Sequence, residues 1–116
     1  SAWSSANTSA LEHTVANITN NAGNISWNLA QGYRCNHTIT ENTTFLTPTG
    51  IAGAGRVIVN LTQNSGSNYA VTWESAWFFA GGAEPTITAA NGARDILEFE
   101  MNTTNLLHKS IMQNLS

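Results

Sequence analysis

Cys35 and His37 stand two residues apart, and in an extended strand that spacing puts thiol and imidazole on one face. Nucleophilic catalysis also needs a group that orients the base, and no acid is placed by sequence beside His37. A lone cysteine in a strand is ordinarily a small core filler. His13, His37 and His108 are isolated from one another and lack the ligand spacing of a zinc or calcium loop, so no metal or other cofactor is expected. Glycoside hydrolysis needs two opposed carboxylates. Glu98 and Glu100 fall on one face of an alternating run and Asp95 on the other, which reads as a solvated or partner-facing sheet surface. No catalytic residue is expected, and the chain is expected not to be an enzyme.

The aromatic cluster Trp73, Trp77, Phe78 and Phe79 is the sharpest feature. Four aromatic rings within seven residues cannot all point one way in a strand. Trp73 and Trp77 are expected in the core. Phe78 or Phe79 is expected to cover an edge or to meet a neighbouring subunit, since large aromatics dominate both cores and interfaces. Stacking on a sugar face is the less favoured reading.

The elements that would position these residues are short and alternating. Ile25, Trp27 and Leu29 share a face, and Gln31-Gly32 turns the chain. Tyr33, Cys35, His37 and Ile39 share the next face, opposed by Arg34, Asn36 and Thr38. Residues 43–46 form a run rich in strand formers, which Pro48-Thr49-Gly50 ends. Residues 56–62 are the clearest strand, with Val57, Val59 and Leu61 alternating with Ile58, Asn60 and Thr62. Residues 64–68 read as a hairpin loop and residues 69–73 as a strand. Gly81-Gly82-Ala83-Glu84-Pro85 and Asn91-Gly92 mark further turns. Residues 94–101 put Leu97, Phe99 and Met101 on one face, and residues 106–112 close the domain. About eight strands with a turn signal every ten residues or so predict an all-β fold, an antiparallel β-sandwich or jelly roll. Residues 4–17 are the only helix-compatible stretch. Residues 1–20 lack strand regularity and are expected to form an N-terminal arm or peripheral segment on a domain spanning residues 21–116.

Of the 116 residues, 41% are apolar but only 9% are charged, far below the usual ~25%. The surface must therefore be built from Asn, Thr, Ser and Gln, which are cheaper to desolvate than charges. That suits a protein packed against copies of itself or a large partner. Arg34, Arg56, Arg94 and Lys109 are scattered along a chain of net charge −3, which argues against nucleic-acid binding. The single cysteine excludes an intrachain disulfide, and no apolar run approaches the ~20 residues of a membrane span. No signal peptide is visible. Ser1 fits removal of an initiator methionine or cleavage from a longer precursor. Eight Asn-x-Ser/Thr triplets occur, at Asn7, Asn17, Asn24, Asn36, Asn42, Asn60, Asn102 and Asn114. They read as a consequence of Asn, Ser and Thr richness before they read as glycan acceptors.

The order of motifs from Asn24 onward resembles a β-sandwich module of phage tail, fibre and other virion structural proteins. The residues that carry the resemblance begin with Ile25-Ser26-Trp27-Asn28-Leu29, Asn42-Thr43-Thr44-Phe45 and Thr47-Pro48-Thr49-Gly50. Val57, Val59, Leu61 and Thr62 follow, then Val71-Thr72-Trp73-Glu74-Ser75-Ala76-Trp77-Phe78-Phe79. Gly81-Gly82, Pro85-Thr86-Ile87 and Asp95-Ile96-Leu97-Glu98-Phe99 complete the set. The similarity spans about four-fifths of the chain. It implies a virion location and a binding or scaffolding role, with no catalytic residues.

Within that role, a capsid decoration (cement) protein is the first expectation: a homotrimer on the capsid exterior, holding the major capsid protein or other virion proteins. Its partner-binding residues would be Trp3, Leu11 and Val15 of the arm together with Phe78 and Phe79. A tail-fibre or receptor-binding module contacting host glycans is the alternative. A glycosylated extracellular filament subunit is the third. No membrane partner is expected.

Overall fold

The computed structural model describes residues 10–64 and 69–115. Within them a helical turn at residues 10–12 is followed by nine strands: β1 (Thr19–Asn21), β2 (Asn24–Ser26), β3 (Arg34–Ile39), β4 (Thr43–Phe45), β5 (Arg56–Gln63), β6 (Val71–Trp73), β7 (Trp77–Phe78), β8 (Arg94–Asn102) and β9 (Asn105–Leu115). The chain is all-β, as the alternation predicts. In β5 every second residue from Val57 to Gln63 is buried, and in β8 every second residue from Asp95 to Met101 is. A period of two with one apolar face leaves a strand a single way to sit against a core.

The strands form two packed sheets, one of four strands in the order β1-β2-β4-β6 and one of five in the order β3-β5-β8-β9-β7. Here the expected antiparallel sandwich of about eight strands is corrected. Pairs β2–β4, β4–β6, β3–β5 and β7–β9 are parallel, while β1–β2, β5–β8 and β8–β9 are antiparallel. From β2 to β7 the chain shuttles between the sheets, one strand in each, so same-sheet neighbours run the same way. The β8–β9 hairpin then wedges between β5 and β7. Alternation in sequence records which face of a strand is buried. It does not record the direction of the strand beside it, so mixed sheets and a jelly roll look alike at that level.

The core is one continuous cluster between the sheets. Phe45 stacks on Trp73 with ring centroids 4.5 Å apart, and Trp77 meets Phe99 edge-on at 4.9 Å. Residues 11–16 of the expected arm lie along the margin of β3. Tyr33 N–H donates to Leu11 O, Arg34 N–H to Thr14 O, and Ala16 N–H to Arg34 O. Ala16 is buried, and Leu11 and Ile18 pack against the core. Thr19–Asn21 then enters the smaller sheet through a tight hairpin at Ala22 and Gly23, both at positive φ (54° and 89°), the geometry of a type I′ turn. A Cβ at Gly23 would run into the carbonyl oxygen of Asn42, so this turn demands glycine.

Candidate functional site

The outer face of the five-stranded sheet gathers what the sequence scatters. Register fixes its rows. Arg34 stands beside Ile58 and Ile58 beside Glu98. Asn36, Asn60, Ile96 and Met112 form the next row, and Thr38, Thr62, Arg94 and Leu115 the one after. On the other side lie Arg56, Glu100, Leu107 and Phe78. Lys109 reaches the same surface, with its ammonium 3.5 Å from Glu98 and 3.8 Å from Glu100. All four cations of the chain, Arg34, Arg56, Arg94 and Lys109, therefore belong to one face. Among the described residues the exposed large apolar side chains are Val15, Phe78, Met112 and Leu115. Phe78 is 49% exposed and Met112 56%, and both are on this face with Leu115. Val15 bridges to Arg34 at its margin.

The opposite face of the molecule has another chemistry. Asn24, Thr44 and Thr72 form a row across the four-stranded sheet, and the hydroxyls of Thr44 and Thr72 share a hydrogen bond of 2.9 Å. Ser26 and β1 add only hydroxyls and amides. The charges outside the cationic sheet surface are acidic: Glu41, Glu74 and Glu84, with Asp95 buried. Glu12 lies at the β3 margin, where its carboxylate accepts from Arg56 N–H at 2.7 Å.

The expected partner-binding residues separate. Phe78 and Val15 are exposed on or beside the cationic face. Leu11 is half-buried against the core. Phe79 is buried, 5.5 Å from Trp73 and 5.7 Å from Phe99 between ring centroids. Trp3 lies outside the described residues. Trp73 and Trp77 are both in the core. Arg34, Arg56 and Arg94, scattered in sequence, stand on the outward parity of their strands, and register brings them onto one sheet. In β9 a register shift turns Met112 outward although it shares the parity of buried Leu106, so alternation alone does not signal it.

Cys35 is fully buried, and burial pushes its thiol pKa up to about 12, so it is no nucleophile at neutral pH. His37 points toward Phe45 of the other sheet, with centroids 6.5 Å apart. Burial pulls its pKa below the usual imidazole value, against a smaller opposing pull from Glu41. His108 lies against Phe79 and Phe99, each 5.2 Å away, and its pKa is likewise lowered by burial. Asp95, on the face opposite Glu98 and Glu100 as expected, is 1% exposed. Its carboxylate accepts from Thr88 N–H at 2.7 Å and Asn114 N–H at 2.9 Å. Buried Gln63 donates to Thr88 O at 3.3 Å. These two side chains pin the segment between β7 and β8. Among the described residues no three His, Cys, Asp or Glu side chains are grouped so as to hold a metal ion, and no helix is long and apolar enough to cross a membrane.

Three of the Asn-x-Ser/Thr triplets follow the alternation of their strands. In β2, β3 and β5 the triplet's first and third residues share the outward face, as in Asn24/Ser26, Asn36/Thr38 and Asn60/Thr62. Asn60 is half-buried, and its side-chain oxygen is shielded and unpaired. Asn7 lies outside the described residues.

A scan against protein-family models finds no match, and searches of curated proteins and of solved structures find none either.

Proposed function

We propose that this chain is a structural protein of a bacteriophage particle, a head decoration protein that docks through the outer face of its five-stranded sheet. One observation carries the reading: every cation of the chain, and every exposed large apolar side chain among the described residues, lies on or beside that face. Arg, Met and aromatic residues are the types enriched in protein interfaces. The resemblance of the motif order to virion β-sandwich modules supports the particle location. The partner is the major capsid protein, with three copies of the decoration protein meeting at a symmetry axis. Docking stabilises the head by linkage, because a ligand that binds the closed lattice and not the ruptured one shifts the equilibrium toward the former. No chemical step is involved.

The uncharged opposite face supports a second reading, a tail-fibre or receptor-binding module whose amide and hydroxyl surface meets host glycans.

Heads stripped of the protein provide the test. Adding back the wild type should raise the temperature of head rupture, and Arg56→Glu or Met112→Lys should abolish the gain. Thr44→Lys, on the other sheet, should leave it intact. Failure of the wild type to bind heads while it binds tails would overturn the decoration reading. Loss on Thr44→Lys alone would overturn the choice of face.

A further inference from the structure

At one end of the four-stranded sheet lies a cleft of about 240 Å³ lined by Asn17, Asn28, Gln31, Thr47 and Thr49, with Trp27 among its walls. Its lining contains no charged side chain. Among the described residues, no hydrogen bond engages the side-chain polar groups of Asn17, Gln31, Thr47 or Thr49; the contacts at Thr47 and Thr49 are made by the backbone. Asn28 uses its carbonyl oxygen to accept from Ala30 N–H at 3.0 Å, which leaves its amide N–H groups for a ligand.

The cleft is built and held. Leu46 N–H donates to Ile25 O, Thr49 N–H to Trp27 O, and Leu29 N–H to Thr49 O, at 3.1, 2.9 and 2.9 Å, so its two walls are stitched along their backbones. Trp27 Nε1 donates inward to Gly32 O at 3.0 Å, which fixes the indole. At Gly50, φ is +72°, and a Cβ there would stand 2.6 Å from Asn28 Oδ1 and 2.8 Å from Ala30 N, so the close approach that shapes the cleft requires glycine. A preformed site loses little ordering entropy on binding.

We propose that this cleft binds one ring of a neutral saccharide. Amide and hydroxyl groups that both donate and accept match the alternating needs of sugar hydroxyls. Trp27 is 3% exposed and belongs to the core, so the apolar contact for a ring face falls to half-buried Leu46 in the same lining. The lining carries no cation, and the Glu74 carboxylate beside it accepts from Thr47 N–H at 2.6 Å, which disfavours phosphate and carboxylate ligands. The volume suits a single pyranose with its substituents. The inference rests on the cleft alone and holds whether the chain sits on a head or a tail.

Ligand-observed saturation-transfer NMR tests it with methyl glycosides of neutral hexoses and N-acetylhexosamines, beside methyl sialoside as the anionic comparison. Transfer to at least one neutral glycoside is expected, with millimolar affinity. Gln31→Ala and Asn17→Ala should each weaken it about tenfold, the loss of one hydrogen bond of about 1.4 kcal/mol. Thr72→Ala, on the same sheet outside the cleft, should leave it unchanged. Thermal midpoints of all three variants, matched to the wild type, separate lost binding from lost folding. No transfer to any neutral glycoside, transfer undiminished in both cleft variants, or transfer to the sialoside alone would each overturn the proposal.

Discussion

His37 and His108 are the two titratable groups whose burial has a measurable consequence near neutral pH. Each has a shielded, unpaired Nε2 and a pKa drawn below the ordinary 6.5 by desolvation. Such a group binds its proton more readily in the unfolded chain. Its contribution to stability is therefore complete above the unfolded pKa and is lost as pH falls through the folded one. Urea midpoints measured from pH 7.5 downward should hold steady and then fall below about pH 6.5. The double variant His37→Gln, His108→Gln should flatten that fall, and an unchanged slope would remove the histidines from the explanation. Cys35 makes a companion prediction. With its thiol buried and raised to about 12, alkylation by iodoacetamide at pH 8 should be negligible in the native protein and stoichiometric in denaturant. Ready labelling of the folded chain would contradict the burial that removes Cys35 from catalysis.

At the scale of elements, β5 and β8 were the most legible part of the fold. Val57, Val59 and Leu61, and Leu97, Phe99 and Met101, are buried as their spacing requires. The short strands β2, β4 and β6 were legible only as apolar alternation, because three residues say little about where a strand ends. Pairing direction was not legible at all. It depends on which strand the sandwich brings alongside, a long-range outcome that a period of two leaves open. The network of Asp95 was equally invisible, since its partners are the backbone N–H groups of Thr88 and Asn114, in separate segments. Asp95→Ala should cost about 1–3 kcal/mol by leaving two part-buried backbone donors without their acceptor. Trp73→Ala, which empties the centre of the aromatic cluster, should cost more, about 3–5 kcal/mol. Chemical denaturation measures both, and the reverse ranking would mean that the network, not the aromatic cluster, limits stability.

Taken whole, the molecule has two unlike faces on one core. The cationic and apolar outer face of the five-stranded sheet and the uncharged outer face of the four-stranded sheet follow from residues that alternate outward along strands assigned to different sheets. Composition alone made the low charge visible and suggested life in an assembly. It could not show that the few cations converge, because Arg34, Arg56, Arg94 and Lys109 are far apart until β3, β5, β8 and β9 lie side by side. The cleft beside Trp27 was hidden for the same reason: its lining comes from several separate stretches of the chain. Docking through the cationic face, as proposed, is expected to be salt-dependent, since that face carries Glu98 and Glu100 beside every cation and is partly exposed. Association with stripped heads should weaken as ionic strength rises, and sedimentation binding assays at increasing salt measure the trend.

Cryo-electron microscopy of intact particles, with this chain traced in the density, tests the docking proposal most directly. Copies on the head exterior at three-fold or quasi-three-fold axes are expected, with Arg56, Phe78 and Met112 turned toward capsid subunits and Thr44 and Thr72 toward solvent. Copies confined to a tail tip or fibre, or seated on the head through the four-stranded sheet, would contradict it.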